Sequence, residues 1–161
     1  MIEKIVSGAQ TGADRGALEA AKACGVETGG WAPKGWWTEA GQDPGLAVFG
    51  LRQCKTPGYL ARTEANIQDS DGTLIIAGNG ASTGTAATIR ECRRLGKPIL
   101  INPRSSAEVL RWARENEIRT LNVAGNRESV CPGIQKRAFD LLVEVLVEEA
   151  SCLESESDPD L

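Results

Sequence analysis

The sequence of 161 residues contains no histidine. This absence removes the commonest general base and the commonest metal ligand, and it excludes the Ser-His and Cys-His pairs of nucleophilic enzymes. Five cysteines are present, at positions 24, 54, 92, 131 and 152, but none belongs to a Cys-x-x-Cys motif. An odd number of dispersed cysteines predicts free thiols in a reducing cytoplasm rather than a disulfide framework.

Long apolar runs and an excess of basic residues are also missing. No run approaches the ~20 residues of a membrane-spanning helix, and the opening Met1-Ile2-Glu3-Lys4 leads directly into a predicted strand, so we expect no signal peptide. The net charge of −4 gives no general attraction for nucleic acid or anionic lipid. The sequence therefore predicts a cytoplasmic protein that binds neither nucleic acid nor a membrane.

Two familiar phosphate-binding signatures are absent from the glycine-rich start. Its glycines fall at positions 8, 12 and 16, a spacing that matches neither the dinucleotide fingerprint G-x-G-x-x-G nor the P-loop G-x-x-x-x-G-K-[ST]. An NAD enzyme and a P-loop NTPase are therefore disfavoured.

The start nevertheless has the design of an anion site. A predicted strand at residues 2–6 enters a polar turn at residues 7–15, and a predicted helix follows at residues 16–23. Such a turn presents backbone N–H groups and the positive end of a helix dipole. Thr11 or Asp14 alone could simply cap the helix. The number of polar groups favours a ligand site, whose candidate residues are Gly8, Gln10, Thr11, Gly12, Asp14 and Arg15.

A second glycine-rich turn repeats this design at residues 78–85. It follows an apolar predicted strand at residues 73–77 and precedes a predicted helix at residues 86–95. Two such turns at the carboxyl ends of parallel strands can face one crevice, where open α/β sheets bind ligands. The candidate binding residues here are Asn79, Gly80, Ser82, Thr83, Gly84 and Thr85.

A third polar turn follows the predicted strand at residues 118–124. It adds Asn126, Arg127 and Glu128 to the candidate site. Arg127 is either a further anion contact or an ordinary exposed arginine. On the predicted helix at residues 59–68, Arg62 and Asn66 share one face, either as a solvated pair or directed into the site.

A long irregular stretch is predicted at residues 32–57, and it is preceded by Trp31. Trp36 and Trp37 lie near Lys34 and Gly35. The tryptophans could stack on a flat ring while Lys34 reaches a phosphate, or they could cover the edge of the core or a subunit interface.

Alternation of strands and helices along the chain predicts an α/β fold with an open parallel sheet of about five strands and helices on both faces. Residues 1–150 suit one ligand-binding domain, and residues 151–161 read as an acidic, disordered tail. Extra apolar residues on the last predicted helix, at Leu141, Val145 and Val147, suggest oligomer contacts.

These motifs, taken together and in order through residues 1–149, resemble the molybdenum cofactor carrier protein family. That family belongs to the modified-Rossmann superfamily, which includes the cytokinin-activating phosphoribohydrolases and DNA-processing protein A. The resemblance rests on Ser7-Gly8-Ala9-Gln10-Thr11-Gly12-Ala13-Asp14-Arg15, Gly30-Trp31-Ala32-Pro33-Lys34-Gly35, Arg62-Thr63 with Asn66, Asp69-Ser70-Asp71-Gly72-Thr73-Leu74, Thr83-Gly84-Thr85, Gly96-Lys97-Pro98, Leu121-Asn122-Val123-Ala124-Gly125-Asn126-Arg127-Glu128-Ser129 and Pro132-Gly133-Ile134.

The resemblance implies a modified Rossmann fold, a homodimer or homotetramer, and binding of molybdenum cofactor (molybdopterin), a pterin with a phosphate and a dithiolene-held metal. Molybdate or a nucleotide are other ligands to consider, and transient contact with molybdoenzymes would follow from a carrier role. Asn126 departs from the family's turn, where proline is expected.

The same resemblance suggests roles for individual side chains. The phosphate would lie against a glycine turn, with Arg15, Lys34 or Arg127 as counter-charges. Because the pterin carries the molybdenum, no protein metal ligand is needed. Donors for the oxo groups or the pterin edge would be Gln10, Thr11, Asn79, Ser82 and Thr85.

Two other function classes remain open. A nucleoside-monophosphate phosphoribohydrolase carries glutamates soon after its G-G-x-G-T motif, whereas Gly84-Thr85 is followed here by Ala86-Ala87-Thr88. Without that acid no carboxylate is in place to activate water, although Asp14, Asp71 or Glu128 could substitute. The sequence therefore favours a binding protein over an enzyme. A DNA-binding module is disfavoured by the acidic balance.

Overall fold

A five-stranded parallel sheet forms the centre of the computed structural model, which describes residues 1–78 and 82–156. The strands are β1 (Lys4–Ser7), β2 (Glu27–Gly29), β3 (Trp31–Ala32), β4 (Trp37–Thr38), β5 (Gly41–Gln42), β6 (Arg52–Gln53), β7 (Gly72–Ile76), β8 (Ile99–Ile101) and β9 (Thr120–Gly125). The α-helices are α1 (Ala13–Ala23), α2 (Tyr59–Gln68), α3 (Thr83–Arg94), α4 (Ser106–Glu115) and α5 (Ile134–Glu156).

The strand order in the main sheet is β2-β1-β9-β7-β8, and every neighbouring pair is parallel. The last strand, β9, therefore inserts between β1 and β7, so that Ser7 lies beside Val123 and Ile76 lies beside Gly125. This arrangement confirms the predicted α/β fold. It also places the turns that follow β1, β9 and β7 side by side at one edge.

Helices cover both faces of the sheet. On one face Leu74, Ile76, Leu121 and Val123 pack in a core shared with α1, α4 and α5. Because successive side chains of a strand point to opposite faces, Thr73 and Asn122 lie on the other side. There the Asn122 amide donates a hydrogen bond of 3.1 Å to the Thr73 hydroxyl, beneath α3.

The stretch at residues 32–57 is ordered, although the sequence analysis predicts it as irregular. It contains the short strands β4, β5 and β6 and a 3-10 helix at Pro44–Phe49. Leu46, Phe49 and Leu51 pack with Leu18 of α1 in a second, smaller core. Burial of these apolar side chains folds the segment onto the domain.

The last helix extends beyond residue 150, so the boundary predicted there falls inside α5. The Ser151 hydroxyl donates to the Val147 carbonyl, and the Ser155 hydroxyl donates to the Cys152 carbonyl. Such bonds are compatible with a continuing helix, and the first helix breaker, Pro159, comes later in the chain. Residues 157–161 of the predicted tail lie outside the described residues.

Among the residues that the structure describes, no helix is both long enough and apolar enough to cross a membrane.

Candidate functional site

The three turns that the strand order brings together border a cleft of about 480 Å³. Its wall is completed by the first turns of α2 and α3. The lining residues are Gly8, Gln10, Asp14, Tyr59, Leu60, Arg62, Thr63, Asn66, Ser82, Thr83, Gly84, Ala87, Thr88, Asn122, Ala124, Gly125, Arg127 and Val130.

Gly8 lines the cleft, and the Arg62 side chain packs directly over its α-carbon. The Gly8 carbonyl accepts a hydrogen bond of 3.1 Å from Nη1 of Arg62. A Cβ at this position would lie 2.8 Å from Cζ of Arg62, which is closer than carbon atoms approach. Glycine is therefore needed for this placement of the guanidinium group.

Gln10 offers a buried hydrogen-bond donor to the cleft. Only 5% of the residue is exposed. Its Oε1 accepts bonds from the backbone N–H groups of Glu39 (2.9 Å) and Thr11 (3.2 Å), which fixes the amide orientation. Its Nε2 has no partner within the described residues. Because a buried amide donor without a partner costs about 1–3 kcal/mol, this group favours a ligand that supplies an acceptor.

Asp14 places a buried carboxyl group in the same cleft. Its Oδ2 accepts a hydrogen bond of 3.2 Å from the Gln10 backbone N–H. Desolvation raises the pKa of Asp14, and it outweighs the opposing effects of Arg62, the Gln10 N–H, the Ser7 hydroxyl and Arg127. The ionised carboxylate is thus disfavoured at this position relative to water.

Arg62 and Arg127 reach the cleft from different elements and lie against one aromatic ring. Their Cζ atoms are 5.2 and 4.9 Å from the centre of the Tyr59 ring, within the range of cation–π attraction. Burial lowers the pKa of Arg62, and the nearby Arg127 lowers it further, whereas Asp14 raises it. An arginine nevertheless remains cationic in a protein.

The third wall of the cleft is the N-terminus of α3. The helix begins at Thr83, before the predicted start at residue 86, because the Ser82 hydroxyl caps it by accepting a bond of 3.2 Å from the Thr85 N–H. Ser82, Thr83 and Gly84 line the cleft, while Thr85 is buried against the Ser82 hydroxyl. The helix dipole adds positive potential here. The predicted residues Asn79 and Gly80 lie outside the described residues.

The structure does not bring Arg15, Lys34 or Gly35 to the cleft. Arg15 instead forms an ion pair of 2.6 Å with Asp43, because the folded segment at residues 32–57 lies over the outer side of α1. Lys34 is exposed on that segment. The Gly35 N–H donates a 2.7 Å hydrogen bond to the Gln53 side chain.

The tryptophans at positions 31, 36 and 37 also do not line the cleft. Trp31 packs against Arg52, whose Cζ lies 4.3 Å from the ring centre. Trp36 packs against the smaller core, which agrees with the alternative that it covers a core edge. Trp37 is 53% exposed.

Four predicted residues of the turns support the site rather than line it. Gly12 allows close approach of the third turn, and the Asn126 side chain accepts a bond of 2.7 Å from the Gly78 N–H. Glu128 accepts bonds from the N–H groups of Gly133 and Gln135 at the start of α5. The Thr11 hydroxyl accepts a bond of 3.3 Å from the Glu128 N–H.

Glu39, which the sequence analysis did not single out, links the long segment at residues 32–57 to the turns after β1 and β9. Its carboxylate accepts hydrogen bonds from the hydroxyl groups of Thr11 and Ser129 and a 3.2 Å bond from the Ser129 N–H. The Ser129 and Thr11 hydroxyls are the main causes that lower the pKa of Glu39.

Sequence reasoning missed several cleft residues, among them Tyr59, Thr88 and Asn122. Tyr59 lies one helical turn before Arg62, and this spacing was a usable signal for a shared face. Asn66 lines the cleft, as one of its two interpretations expected, but its amide also bonds to the backbone of Trp31 at 2.8 and 3.1 Å. It therefore also fixes β3.

No cluster of three or more His, Cys, Asp or Glu side chains suited to a metal ion occurs in the part of the chain that the structure describes. The arrangement instead combines two arginines, a free amide donor, a helix N-terminus and a buried carboxyl group. These groups suit a small anionic ligand.

Comparison with known proteins supports this fold and places the chain in a family. No curated protein matches it. A crystal structure of a protein from Syntrophus aciditrophicus, named a "putative molybdenum carrier protein", is 38% identical, with a TM-score of 0.82 over 91% of this chain and 95% of that chain. The predicted resemblance is thereby confirmed. Residues 5–146 match the circularly permutated YpsA SLOG family, and the chain belongs to that family.

Proposed function

We propose that the cleft binds molybdenum cofactor for storage, protection or delivery, and that Arg62 and Arg127 hold the phosphate of the cofactor. The observation that carries this proposal is the presence of both guanidinium groups in one cleft. Within residues 1–78 and 82–156 neither forms an ion pair. Arginine is well suited to phosphate because its donors match two phosphate oxygens at once.

The rest of the cleft fits the other parts of such a ligand. The volume of about 480 Å³ lies in the range of small-molecule sites. The amide of Gln10 and the N-terminus of α3 supply donors for oxo groups or for the pterin edge. Since no metal cluster is formed by the described residues, the dithiolene of the pterin would retain the metal. The name given to the similar Syntrophus aciditrophicus protein specifies molybdenum, which is the metal of this cofactor, and in that respect supports the proposal.

A second candidate is a nucleotide ligand, with hydrolysis of a nucleoside monophosphate as the associated activity. The observation that favours it is Asp14, which lines the cleft and has a raised pKa. A carboxyl group with a raised pKa can act as a general acid toward a leaving base.

Molybdate alone is the simplest ligand that Arg62 and Arg127 would attract.

The experiment that tests the proposal is native mass spectrometry with elemental analysis, on protein purified from a molybdenum-replete host. We expect a bound pterin-phosphate mass together with molybdenum, and the same spectra report whether the chain forms a homodimer or homotetramer. Arg62→Gln and Arg127→Ala should each lose the bound mass. Arg15→Ala is the matched control, since Arg15 pairs with Asp43 outside the cleft.

The result separates the two candidates. Empty protein whose melting temperature rises with a nucleoside monophosphate, and which releases the base on incubation, would replace the carrier function with the hydrolase. If the wild-type protein carries the cofactor and both cleft variants retain it fully, the ligand binds elsewhere. Transient contact with molybdoenzymes follows from the carrier proposal and would be tested by cofactor transfer to an apo-molybdoenzyme.

A further inference from the structure

Tyr59 is an aromatic residue that lines the cleft. It is the first residue of α2, and 47% of it is exposed. It lies three positions before Arg62, so the two side chains share one side of the helix. Arg127 approaches the same ring from the turn after β9. One aromatic ring therefore lies against both of the arginines that line this cleft within the described residues.

Two guanidinium groups in one place repel each other, and this repulsion contributes to the lowered pKa of Arg62. The negative face of an aromatic ring attracts both cations. The Asp14 carboxylate attracts both guanidinium groups when it is ionised, but burial disfavours that form. Arg62 is held by its hydrogen bond to the Gly8 carbonyl. Without the ring, we therefore expect the Arg127 side chain to move toward solvent, where its charge is hydrated.

Arg62 uses only part of its donor set in hydrogen bonds within the described residues. Arg62 uses Nη1 on the Gly8 carbonyl, while its buried Nε has no partner within the described residues. A phosphate monoester has three terminal oxygens and a charge of about −1.5 to −2 at pH 7, whereas a diester has two free oxygens and a single charge. Two guanidinium groups held together match the monoester better in both respects.

We propose that Tyr59 is a positioning residue that holds Arg62 and Arg127 as a pair, so that the cleft selects terminal phosphate monoesters over phosphodiesters. This inference rests on the proposed function, because it assumes that the two arginines receive the phosphate of the ligand. It specifies the class of ligand as phosphate monoesters. This class is defined by the ester group and not by the ring system of the ligand that carries it.

The test uses two probes without a ring, methyl phosphate and dimethyl phosphate, with ³¹P NMR titration at pH 8. The wild-type protein should bind the monoester more tightly. Tyr59→Leu should weaken methyl phosphate about tenfold, in line with the loss of two cation–π contacts, and should leave dimethyl phosphate nearly unaffected. Tyr59→Phe keeps the ring and should retain the selectivity. Trp37→Leu controls for the loss of an exposed aromatic residue outside the cleft.

The outcomes distinguish this inference from the proposal on which it rests. If Tyr59→Leu weakens both probes equally, or neither, then Tyr59 has no role in selectivity, although the cofactor experiment can still succeed. If the wild-type protein binds neither probe, the inference is overturned. If the cofactor is also absent from purified protein, the proposed function fails separately. Circular dichroism and melting temperatures show whether each variant is folded.

Discussion

The α-carbon of Gly12 packs directly against the backbone carbonyl of Asn126. A Cβ on Gly12 would lie 2.3 Å from that oxygen, and the φ angle of Gly12 is +81°. The same carbonyl accepts a 3.1 Å hydrogen bond from the Ala13 N–H at the start of α1. This contact joins the turn after β1 to the turn after β9, so it sets the spacing between two walls of the cleft.

Gly12→Ala should therefore destabilise the protein strongly. We expect a loss of about 3 kcal/mol or more in the free energy of unfolding, because the methyl group meets backbone that cannot rotate away. Gly25→Ala is the matched control, since φ is +71° there but nothing lies within 4 Å of the added Cβ. Its free energy of unfolding should fall by only about 1–2 kcal/mol, which is the cost of the left-handed conformation for a residue with a Cβ. Equal losses in urea denaturation would contradict the packing argument.

Gly8→Ala should act on ligand binding more than on stability. The added Cβ would meet the Arg62 side chain at 2.8 Å, and that side chain can shift at the expense of its place in the cleft. We expect methyl phosphate affinity to fall about tenfold, as for loss of one charge-assisted hydrogen bond. Gly25→Ala is the control outside the cleft, because Gly25 does not line the cleft and its added Cβ would have no atom within 4 Å. Titration of both variants tests whether displacement of Arg62 is the cause.

Asp14 should make stability depend on pH in a defined direction. Its pKa is raised in the folded protein, so the folded state holds a proton at pH values where the unfolded carboxyl, with a pKa of about 3.9, has lost it. The stabilisation from this proton is fully present below the unfolded pKa and is lost as pH rises through the folded pKa. Asp14→Asn removes this dependence.

Relative to wild type, Asp14→Asn should thus gain stability at pH 8 and lose that advantage toward pH 4. Urea denaturation of both proteins across this range is the measurement. A difference from wild type that is the same at every pH would show that folding leaves the pKa of Asp14 unchanged. A variant that becomes progressively less stable than wild type as pH rises would show that Arg62 lowers the pKa of Asp14 in the folded protein.

Glu39 should show the opposite dependence. Its pKa is lowered by the hydroxyls of Ser129 and Thr11, so its contribution is present above the unfolded pKa of about 4.3 and is lost as pH falls through the folded value. Because the group is exposed, Glu39→Gln should cost only about 1 kcal/mol at pH 7. The difference from wild type should shrink toward pH 3.

Glu27→Gln is the control for Glu39→Gln. Glu27 forms an exposed ion pair of 2.7 Å with Lys4, and such pairs contribute about 0–1 kcal/mol. Its loss should be smaller than that of Glu39→Gln in the same denaturation series. A loss as large at Glu27 would mean that general surface charge, rather than the links from Glu39 to Thr11 and Ser129, supports the long segment.

The sequence predicted those parts of the cleft that are formed by turns with a recognisable local pattern. The turns after β1 and β7 were recognisable from glycine and hydroxyl residues between an apolar strand and a helix, and they supplied Gly8, Asp14 and Ser82. It did not reveal that Arg15 points away from the cleft. Side-chain direction there depends on Asp43, which comes from a segment whose fold has no local periodic signal.

What the sequence by itself determined is the set of strand–turn–helix units, because periodicity, glycine placement and helix capping act between near neighbours in the chain. Only the tertiary structure decided which arginines share a site. The insertion of β9 between β1 and β7 brings Arg127 to the ring of Tyr59, beside Arg62, across a long separation in sequence. Strand order depends on how the helices and strands bury their apolar faces together, and no single turn encodes it.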